Sequence, residues 1–220
     1  MSETSANNAA IILAAGKGTR MKSDLPKVLH PVLGKPLVQF VIDSCRGAGI
    51  ERIILVIGHE AELVKETIGK DVEYVLQEQQ LGTGHALMTA AAEMKNFRGD
   101  VAVLVGDAPF LSADIIGALF SHHHDTAAAS TLMTTHIDPP PAYGRIIRDA
   151  SGNIVEIVEE RDATEEQKKI TEVNTSHYCF NAETVFPLLN HLDTQNDQGE
   201  YYLTDIIKLL YKKGEKNESL

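Results

Sequence analysis

Glycine, lysine and arginine residues cluster near the N-terminus in a pattern suited to binding phosphate groups. Gly16 and Gly18 can adopt positive φ angles and carry no Cβ, so the surrounding backbone N–H groups can approach an anion closely. Lys17, Arg20 and Lys27 supply three cations to the same segment, which favours a ligand as negatively charged as a triphosphate. These residues predict a nucleotide phosphate site, and a simple glycine turn with solvated cations is the alternative.

The spacing of this segment differs from the two best-known phosphate loops. The dinucleotide fingerprint G-x-G-x-x-G/A requires glycine or alanine where this chain has Met21. The P-loop pattern G-x-x-x-x-G-K-[ST] is not matched by any Gly-Lys pair of the sequence. The predicted phosphate site is therefore of another type.

A second residue suited to chemistry is Asp107, which directly follows the apolar run Val101 to Val105 and Gly106. Its hard carboxylate oxygen suits Mg²⁺, which usually takes one or two protein carboxylates together with phosphate and water. An aspartate in a β-turn before a proline such as Pro109 is the structural alternative. We predict that Asp107 is a magnesium ligand.

A third segment, Gln77 to Ala86, combines amide side chains with closely spaced glycines. An amide carries both a donor and an acceptor, as the edge of a pyrimidine base requires. Gly82-Thr83-Gly84 would allow close approach of the backbone to a ligand. A polar turn before a helix rich in small residues is the alternative that the residues alone leave open.

The elements that position these segments alternate between strands and helices. The predicted strands are Ala9 to Ala15, Arg52 to Ile57, Val72 to Leu76 and Val101 to Val105, and the helices between and after them are Pro36 to Ala48, Glu60 to Ile68, Ala86 to Met94 and Ser112 to Ser121. This alternation predicts a Rossmann-like, doubly wound α/β fold. In such folds ligands bind beyond the carboxyl ends of the strands, where all three segments lie. We interpret His122 to His124, at the end of the last helix, as a solvated helix end.

The second half of the chain is richer in hairpins. Strands are predicted at Ala127 to Thr135, at 144–148 and 153–158 as a hairpin, and at Glu172 to Phe180, followed by helices at Ala182 to Leu192 and Tyr201 to Tyr211. We expect these strands to extend the same sheet, which becomes mainly parallel but mixed. The predicted organisation is a flexible N-terminus at 1–8, one domain at 9–213 and a frayed tail at 214–220.

Composition limits the classes of function. The 220 residues are 43% hydrophobic and 23% charged, with a net charge of −11, so no basic surface favours nucleic acid or an anionic membrane. The sequence contains neither a signal peptide nor an apolar run long enough to span a membrane. Cys45 and Cys179 match no metal pattern and are expected to be reduced thiols in a cytoplasmic protein.

Four blocks of the sequence resemble the sugar-1-phosphate nucleotidyltransferase family. These blocks are L-A-A-G-K-G-T-R-M followed by P-K from Leu13, Q-E-Q-Q-L-G-T-G-H-A from Gln77, G-D-A-P from Gly106 and G-E-Y-Y-L-T-D from Gly199. Within the family they are similar to the uridyltransferase half of the bacterial bifunctional N-acetylglucosamine-1-phosphate uridyltransferases. The resemblance implies transfer of a uridylyl group from UTP to N-acetylglucosamine 1-phosphate, with Mg²⁺, in the synthesis of a cell-wall precursor. We interpret the last block as structural, a helix start packed by two tyrosines.

The resemblance also implies roles for individual residues. Arg20 and Lys27 would be catalytic, and Asp107 would bind the metal. Substrate contacts are implied for Leu13, Ala14, Ala15, Gly16, Lys27, Gln77, Gly82, Thr83, Gly106 and Asp107 on the nucleotide side, and for Gly144, Glu159 and Asn174 on the sugar side. We expect a monomer or weak homo-oligomer, because trimerisation in the family depends mainly on a β-helix half that has no counterpart in this sequence. For the same reason no acetyltransferase activity is expected.

One departure from the family concerns the metal. The family's second magnesium ligand is an asparagine in a block that follows G-E-Y-Y-x-T-D, and the sequence ends before such a block. Either the sequence is a piece of a longer chain, or Asp107, phosphates and water hold the metal. Transfer to another base or sugar, and a non-catalytic module that binds a nucleotide sugar, are the two alternative functions.

Overall fold

A computed structural model of the chain describes residues 7–18 and 21–220. Its strands, in chain order, are β1 (Asn8–Leu13), β2 (Pro31–Val32), β3 (Lys35–Pro36), β4 (Arg52–Ile57), β5 (Glu73–Leu76), β6 (Asp100–Val105), β7 (Ser130–His136), β8 (Arg145–Arg148), β9 (Ile154–Val158), β10 (Glu172–Asn181) and β11 (Asn217–Ser219). The α-helices are α1 (Leu37–Gly47), α2 (Ala61–Ile68), α3 (Thr83–Glu93), α4 (Ala113–Thr126), α5 (Ala182–Val185) and α6 (Asp205–Lys212). Short 3₁₀ helices lie at Lys27–Leu29, Gln167–Lys169 and Phe186–His191.

Nine of these strands form one mixed sheet in the order β11-β7-β10-β6-β1-β4-β5, with β8 paired to β10 and β9. Strands β6, β1, β4 and β5 run parallel, whereas β10 runs antiparallel to β6, β7 and β8. The predicted mainly parallel sheet, extended by hairpin strands, is therefore confirmed. The parallel register pairs Leu13 with both Val56 and Val105, so three strands end at the same edge.

Alternate side chains of the central strands enter two separate hydrophobic cores, one on each face of the sheet. In β1, Ala9 and Ile11 belong to the core under α3 and α6, whereas Ala10 and Ile12 belong to the core under α1, α2 and α4. All four side chains are fully buried, which explains why β1 is an unbroken apolar run. No helix in the described part of the chain has the length and apolarity that crossing a membrane requires.

Several helix ends differ from the sequence-based prediction. The helix predicted over Ala182 to Leu192 remains α-helical only to Val185, and a 3₁₀ helix with Pro187 in its first turn follows. Proline lacks the N–H of an α-helical hydrogen bond, which accounts for the change. The last helix begins at Asp205 and not at Tyr201, because the backbone of Tyr201 is bonded to Leu81 and Gly84.

The interpretation of His122 to His124 as a solvated helix end was wrong for His123, whereas His124 is exposed. Helix α4 continues to Thr126 and presses His123 against the sheet, where its side chain is only 2% exposed. His123 Nδ1 lies 2.8 Å from Thr131 Oγ1, and His124 Nε2 lies 2.6 Å from Asp100 Oδ2. Adjacent histidines cannot share a helix face, but His123 and His124 both reach the sheet, where His123 Nε2 also lies 3.5 Å from Asp100 Oδ1.

The frayed tail predicted at 214–220 was also wrong. β11 pairs in parallel with β7, and Asn217 is buried. Ser130 Oγ donates to Asn217 Oδ1 at 2.7 Å, while Asn217 Nδ2 donates to the carbonyls of Ile154 and Ile207 at 3.1 and 3.0 Å. At the other terminus β1 begins at Asn8, inside the segment predicted to be flexible; residues 1–6 lie outside the described ranges.

Replacing Asn217 with alanine should destabilise the fold. The substitution leaves one donor and two carbonyls without partners in a buried position, which costs roughly 2 kcal/mol or more in the free energy of unfolding. Urea unfolding followed by circular dichroism measures this loss. Glu215→Ala, two residues earlier and exposed, is the matched control. Equal stability of the Asn217→Ala variant and the natural chain would mean that the hydrogen bonds of the Asn217 side chain do not stabilise the fold.

Candidate active site

A cavity of about 620 Å³ opens at the edge where the parallel strands end. It is lined by Leu13, Ala14, Ala15, Gly16, Lys17, Gly18, Met21, Lys27, Val28, Gln77, Gln80, Gly82, Thr83, Ala86, Val105, Asp107 and Glu200. The loops after β1, β5 and β6, which lie far apart in the sequence, thus meet at one site. Eleven residues singled out from the sequence line it: Leu13, Ala14, Ala15, Gly16, Lys17, Gly18, Lys27, Gln77, Gly82, Thr83 and Asp107.

The loop after β1 presents backbone donors to this cavity. Within the described ranges, no backbone carbonyl accepts from the N–H groups of Gly16, Lys17 or Gly18. These donors are therefore available to phosphate oxygens, as a row of successive amides in an anion-binding loop would be. Arg20, the other predicted phosphate contact of this loop, lies outside the described residues.

The positive φ of Gly18 brings the loop against Lys27. Gly18 has φ +61°, and a Cβ there would lie 2.7 Å from the Cβ of Lys27. Only glycine allows both the backbone conformation and the contact without strain. Gly18 therefore helps to hold Lys27 at the cavity, a role that the sequence analysis did not assign.

Lys27 and Asp107 form an ion pair inside the cavity. The Lys27 side chain is 44% exposed and that of Asp107 26%, so both groups remain open to solvent and ligand. Gly106, directly before Asp107, is not itself part of the lining, but it supports the site: its N–H donates to the carbonyl of Leu13 at 3.0 Å. This bond fixes the start of the loop that carries Asp107 to the end of β1.

The donor set at Asp107 fits a magnesium ion that is shared with phosphates. Among the described residues, no group of three or more histidine, cysteine, aspartate or glutamate side chains is arranged to hold a metal ion without other ligands. One half-buried carboxylate, at a cavity lined also by loop amides that have no partner among the described residues, is instead the arrangement that suits Mg²⁺, which takes few protein ligands and binds through phosphate oxygens and water.

The loop after β5 is clamped by the distant segment around Tyr201. Gly82 has φ +112°, and a Cβ there would lie 2.5 Å from the carbonyl oxygen of Tyr201. The Tyr201 N–H donates to the carbonyl of Leu81, and its carbonyl accepts from Gly84, both at 2.8 Å. The backbone of the G-E-Y-Y-x-T-D block thus fixes the loop after β5. The residues that do so lie just before α6.

The three residues predicted for the sugar side lie together, but outside the cavity lining given by the described residues. The Asn174 N–H donates to the Gly144 carbonyl at 2.9 Å, and a Cβ on Gly144 would lie 3.5 Å from both carboxylate oxygens of Glu159. Burial raises the pKa of Glu159, and a hydrogen bond from Thr204 at 3.1 Å partly opposes that rise. Asn174 Nδ2 also donates to the Tyr178 hydroxyl at 2.6 Å.

The sugar-side residues are connected to the cavity through one short segment. Thr83, which lines the cavity, accepts from the Leu203 N–H at 3.1 Å. The next residue, Thr204, holds Glu159. Two neighbouring residues therefore join the nucleotide-side loop to the sugar-side cluster.

Sequence reasoning missed several residues at the site. The cavity is also lined by Val28, Ala86, Val105 and Glu200, to which no ligand contact was assigned, although Ala86 and Glu200 lie inside the blocks that begin at Gln77 and Gly199. His177 is 7% exposed, and its Nδ1 has no hydrogen-bond partner in the described part of the chain. Burial lowers the pKa of His177 to about 4, although the negative charge of Asp107 opposes this. A single histidine within a strand gave no signal of this proximity.

The fold and the cavity define an α/β protein with a glycine loop, a lysine and a carboxylate at the carboxyl edge of its sheet. Residues 9–220 match the family described as nucleotidyl transferase. The chain is 50% identical over 210 residues to the bifunctional protein GlmU of Halalkalibacterium halodurans, and 48% identical over 208 residues to that of Enterococcus faecalis. The chain therefore belongs to the nucleotidyl transferase family, as the sequence blocks predicted.

These relatives are about twice as long as the chain. The matches cover 96% and 94% of this chain, but only 46% and 45% of the two relatives. A crystal structure of UDP-glucose pyrophosphorylase complexed with UDP-glucose superposes with a TM-score of 0.80 at 20% identity, over 96% of this chain and 90% of that chain. The structural similarity confirms the predicted fold class.

Replacing Gly82 with alanine should weaken nucleotide binding. The added Cβ collides with the Tyr201 carbonyl, so the loop after β5 has to move away from the cavity edge. Calorimetric titration with UTP should show at least a tenfold lower affinity, about 1.4 kcal/mol. Gly152→Ala is the matched control, because Gly152 also has a positive φ, +87°, but no atom within 4 Å of its Cβ position. Equal losses of UTP affinity in the two variants would mean that backbone strain alone, and not the collision with Tyr201, causes the effect.

The stability of the protein should depend on His177 in the acidic range. Its pKa is about 4 in the folded chain against an ordinary value of 6.5, so the unfolded chain binds more protons between these two pH values. Folding stability is therefore lost as the pH falls from 6.5 towards 4, by up to roughly 3 kcal/mol. His177→Leu removes the titrating group, and the difference in unfolding free energy between the two proteins should follow this pH window. A difference that does not change with pH would contradict the assignment.

Proposed function

We propose that the chain catalyses transfer of a uridylyl group from UTP to N-acetylglucosamine 1-phosphate, releasing pyrophosphate and forming UDP-N-acetylglucosamine. The observation that carries this proposal is the meeting of free loop amides, Lys27 and Asp107 in one cavity. The name of the bifunctional relatives does not state which substrates they use. The choice of uracil and of the sugar rests on the Gln77 to Ala86 block and on the cluster around Glu159.

The chemistry requires positioning and charge stabilisation. The phosphate of the sugar is already ionised, so no general base has to create the nucleophile. Holding that phosphate in line with the α-phosphorus of UTP lowers the entropic part of the barrier. Lys27 would neutralise the charge that develops at the α-phosphate, and the amides of Gly16 to Gly18 would hold the departing pyrophosphate. Arg20 is proposed as a second cation for that leaving group.

Asp107 is the residue proposed to hold Mg²⁺. When bound, the ion would supply charge neutralisation for nucleotide and sugar-phosphate oxygens and act as a template for them. Asp107 already lies against Lys27, so two groups of opposite charge are ready for a ligand that contains both phosphate and metal. Lys27 would thereby bind the phosphate groups of a metal-bound triphosphate, and Asp107 would bind its metal ion.

The base and sugar contacts follow the two halves of the site. Gln77, Gly82 and Thr83 would contact uracil, with Leu13 to Ala15 beneath the nucleoside and Gly106 supporting Asp107. Glu159 and Asn174 would accept and donate hydrogen bonds to sugar hydroxyls, next to the backbone of Gly144. Glu159 is half-buried, and among the described residues only its Oε1 accepts a hydrogen bond, from Thr204, which leaves Oε2 for a ligand and supports this role.

Cys45 and Cys179 are buried free thiols, and burial raises the pKa of Cys45 to about 12, which suits a cytoplasmic enzyme. We propose a monomer or weak homo-oligomer that needs neither nucleic acid nor a membrane. The domain is proposed to comprise the nucleotidyltransferase unit beginning near Ala9.

Two alternatives make different predictions in a simple assay. UDP-glucose pyrophosphorylase shares the fold, so transfer to a different sugar phosphate is one of them. The other is a non-catalytic module that binds a nucleotide sugar. A panel of nucleotides and sugar phosphates tests the first, and binding of UDP-N-acetylglucosamine without any pyrophosphate release would favour the second.

Lys27→Ala and Asp107→Asn should each lower pyrophosphate release strongly while leaving the fold intact. Each substitution removes one electrostatic contact to the reacting phosphates, which typically costs about 10²–10³ in rate. The assay measures pyrophosphate from UTP and N-acetylglucosamine 1-phosphate while Mg²⁺ is titrated.

Lys65→Ala is the control, because Lys65 forms a surface pair with Glu62 on α2. Its rate should match that of the natural chain. Normal turnover by either site variant would contradict the proposed mechanism.

A further inference from the structure

The side-chain amide of Gln77 is held in one orientation by two neighbours. Its Nε2 lies 3.1 Å from the carbonyl oxygen of Gly82 and 2.9 Å from Nδ1 of His85. A carbonyl oxygen can only accept, so the atom that faces Gly82 must be the NH₂ group. Its second proton then points to His85, whose Nδ1 must accept, and the imidazole is neutral with its proton on Nε2.

Further hydrogen bonds hold in place both the Gly82 carbonyl, which accepts from the Gln77 amide, and the backbone of Gln77. The Gly82 carbonyl also accepts from the Ala86 N–H at 3.2 Å, in the first turn of α3. The Gln77 N–H donates to Ile57 at 2.8 Å, and the Gln77 carbonyl accepts from Gln80 Nε2 at 3.1 Å. Because the residue is only 3% exposed, the amide has little room to turn.

The remaining polar atom of this side chain is Oε1. Gln77 lines the cavity, and no donor among the described residues is bonded to this oxygen. The cavity is thus offered an acceptor by Gln77 and not a donor. A ligand group that carries an N–H would be recognised there.

We propose that His85 is a positioning residue that determines base selectivity by keeping the Gln77 carbonyl turned towards the ligand. The inference rests on the proposed nucleotide site. Uracil has an N–H donor at ring position N3, whereas cytosine has a lone pair there, so the fixed carbonyl selects uracil over cytosine. Accepting cytosine would require the amide to flip.

His85 makes that flip unfavourable. In the flipped amide, Oε1 would face the Gly82 carbonyl, which gives a repulsive contact. It would also face the His85 lone pair, unless the imidazole moved its proton from Nε2 to Nδ1, so the flip adds either a second repulsion or a change of tautomer. Without an acceptor at His85 only the contact with Gly82 would remain. A typical hydrogen bond contributes about 1 kcal/mol net, so losing this one should reduce the preference for uracil roughly five- to tenfold.

The competing explanation is that His85 serves only for packing. Its ring lies 6.3 Å from that of Tyr201, in the segment that clamps the loop. Loss of packing would loosen the loop and weaken all nucleotides alike. Loss of the acceptor would weaken UTP but not CTP, so the two explanations have opposite signatures.

The test is calorimetric titration of UTP and of CTP, each with Mg²⁺, into the natural chain, His85→Leu and His85→Asn. Leucine fills the space without an acceptor, whereas the asparagine Oδ1 can accept near the position of Nδ1. We expect His85→Leu to bind UTP more weakly and CTP as well as or better than the natural chain, lowering the ratio of affinities roughly five- to tenfold. His85→Asn should restore most of the preference.

Each result has a distinct meaning. Equal weakening of UTP and CTP by His85→Leu would overturn the positioning role, as would an unchanged preference for UTP. Failure of the natural chain to bind UTP at all would instead overturn the proposed function. Thermal unfolding of each variant ensures that the compared proteins are folded.

Discussion

The parallel hydrogen bonding of β1 with β4 and β6 is the constraint on which the site depends. It pairs Leu13 with Val56 and Val105, so these strands end at the same level and their loops leave from one edge. The two cores then fix the sheet from both faces, since alternate side chains of β1 are fully buried on each side. A shift of β1 by one residue would exchange the cores and move the glycine loop away from Asp107.

The ion pair between Lys27 and Asp107 is better understood as preparation for a ligand than as a source of stability. Both side chains are partly exposed, and exposed pairs contribute at most about 1 kcal/mol to folding. Little free energy would therefore be lost if, as proposed, a phosphate bound Lys27 and a metal bound Asp107 in place of the ion pair. The chain has a net charge of −11 and therefore repels anions as a whole. The positive charge of Lys27 beside the glycine loop reduces this repulsion locally.

The fold class and most of the residues that line the cavity could be predicted, because their signals are local in the sequence. An apolar run such as β1 followed by closely spaced glycines indicates both a buried strand and a phosphate loop. The clamp of Tyr201 on Gly82 could not be predicted, since it consists of backbone hydrogen bonds between segments far apart in the chain. The errors at His123 and Asn217 have the same origin: polar residues near an element's end were expected to be solvated, but distant strands supply their partners.

The segment from Tyr201 to Thr204 is the mechanical link between the two halves of the site. Its first residue holds the loop of Gly82, and its last residue holds Glu159. Between them, the Leu203 N–H is bonded to Thr83 at the cavity. A ligand that moved the Gly82 loop would therefore displace the same four residues that position Glu159. A sugar that ordered Glu159 would affect the loop through the same residues. Because binding free energies couple reciprocally, any change that the proposed nucleotide makes in the affinity for the sugar phosphate through this segment is matched by an equal change in the other direction.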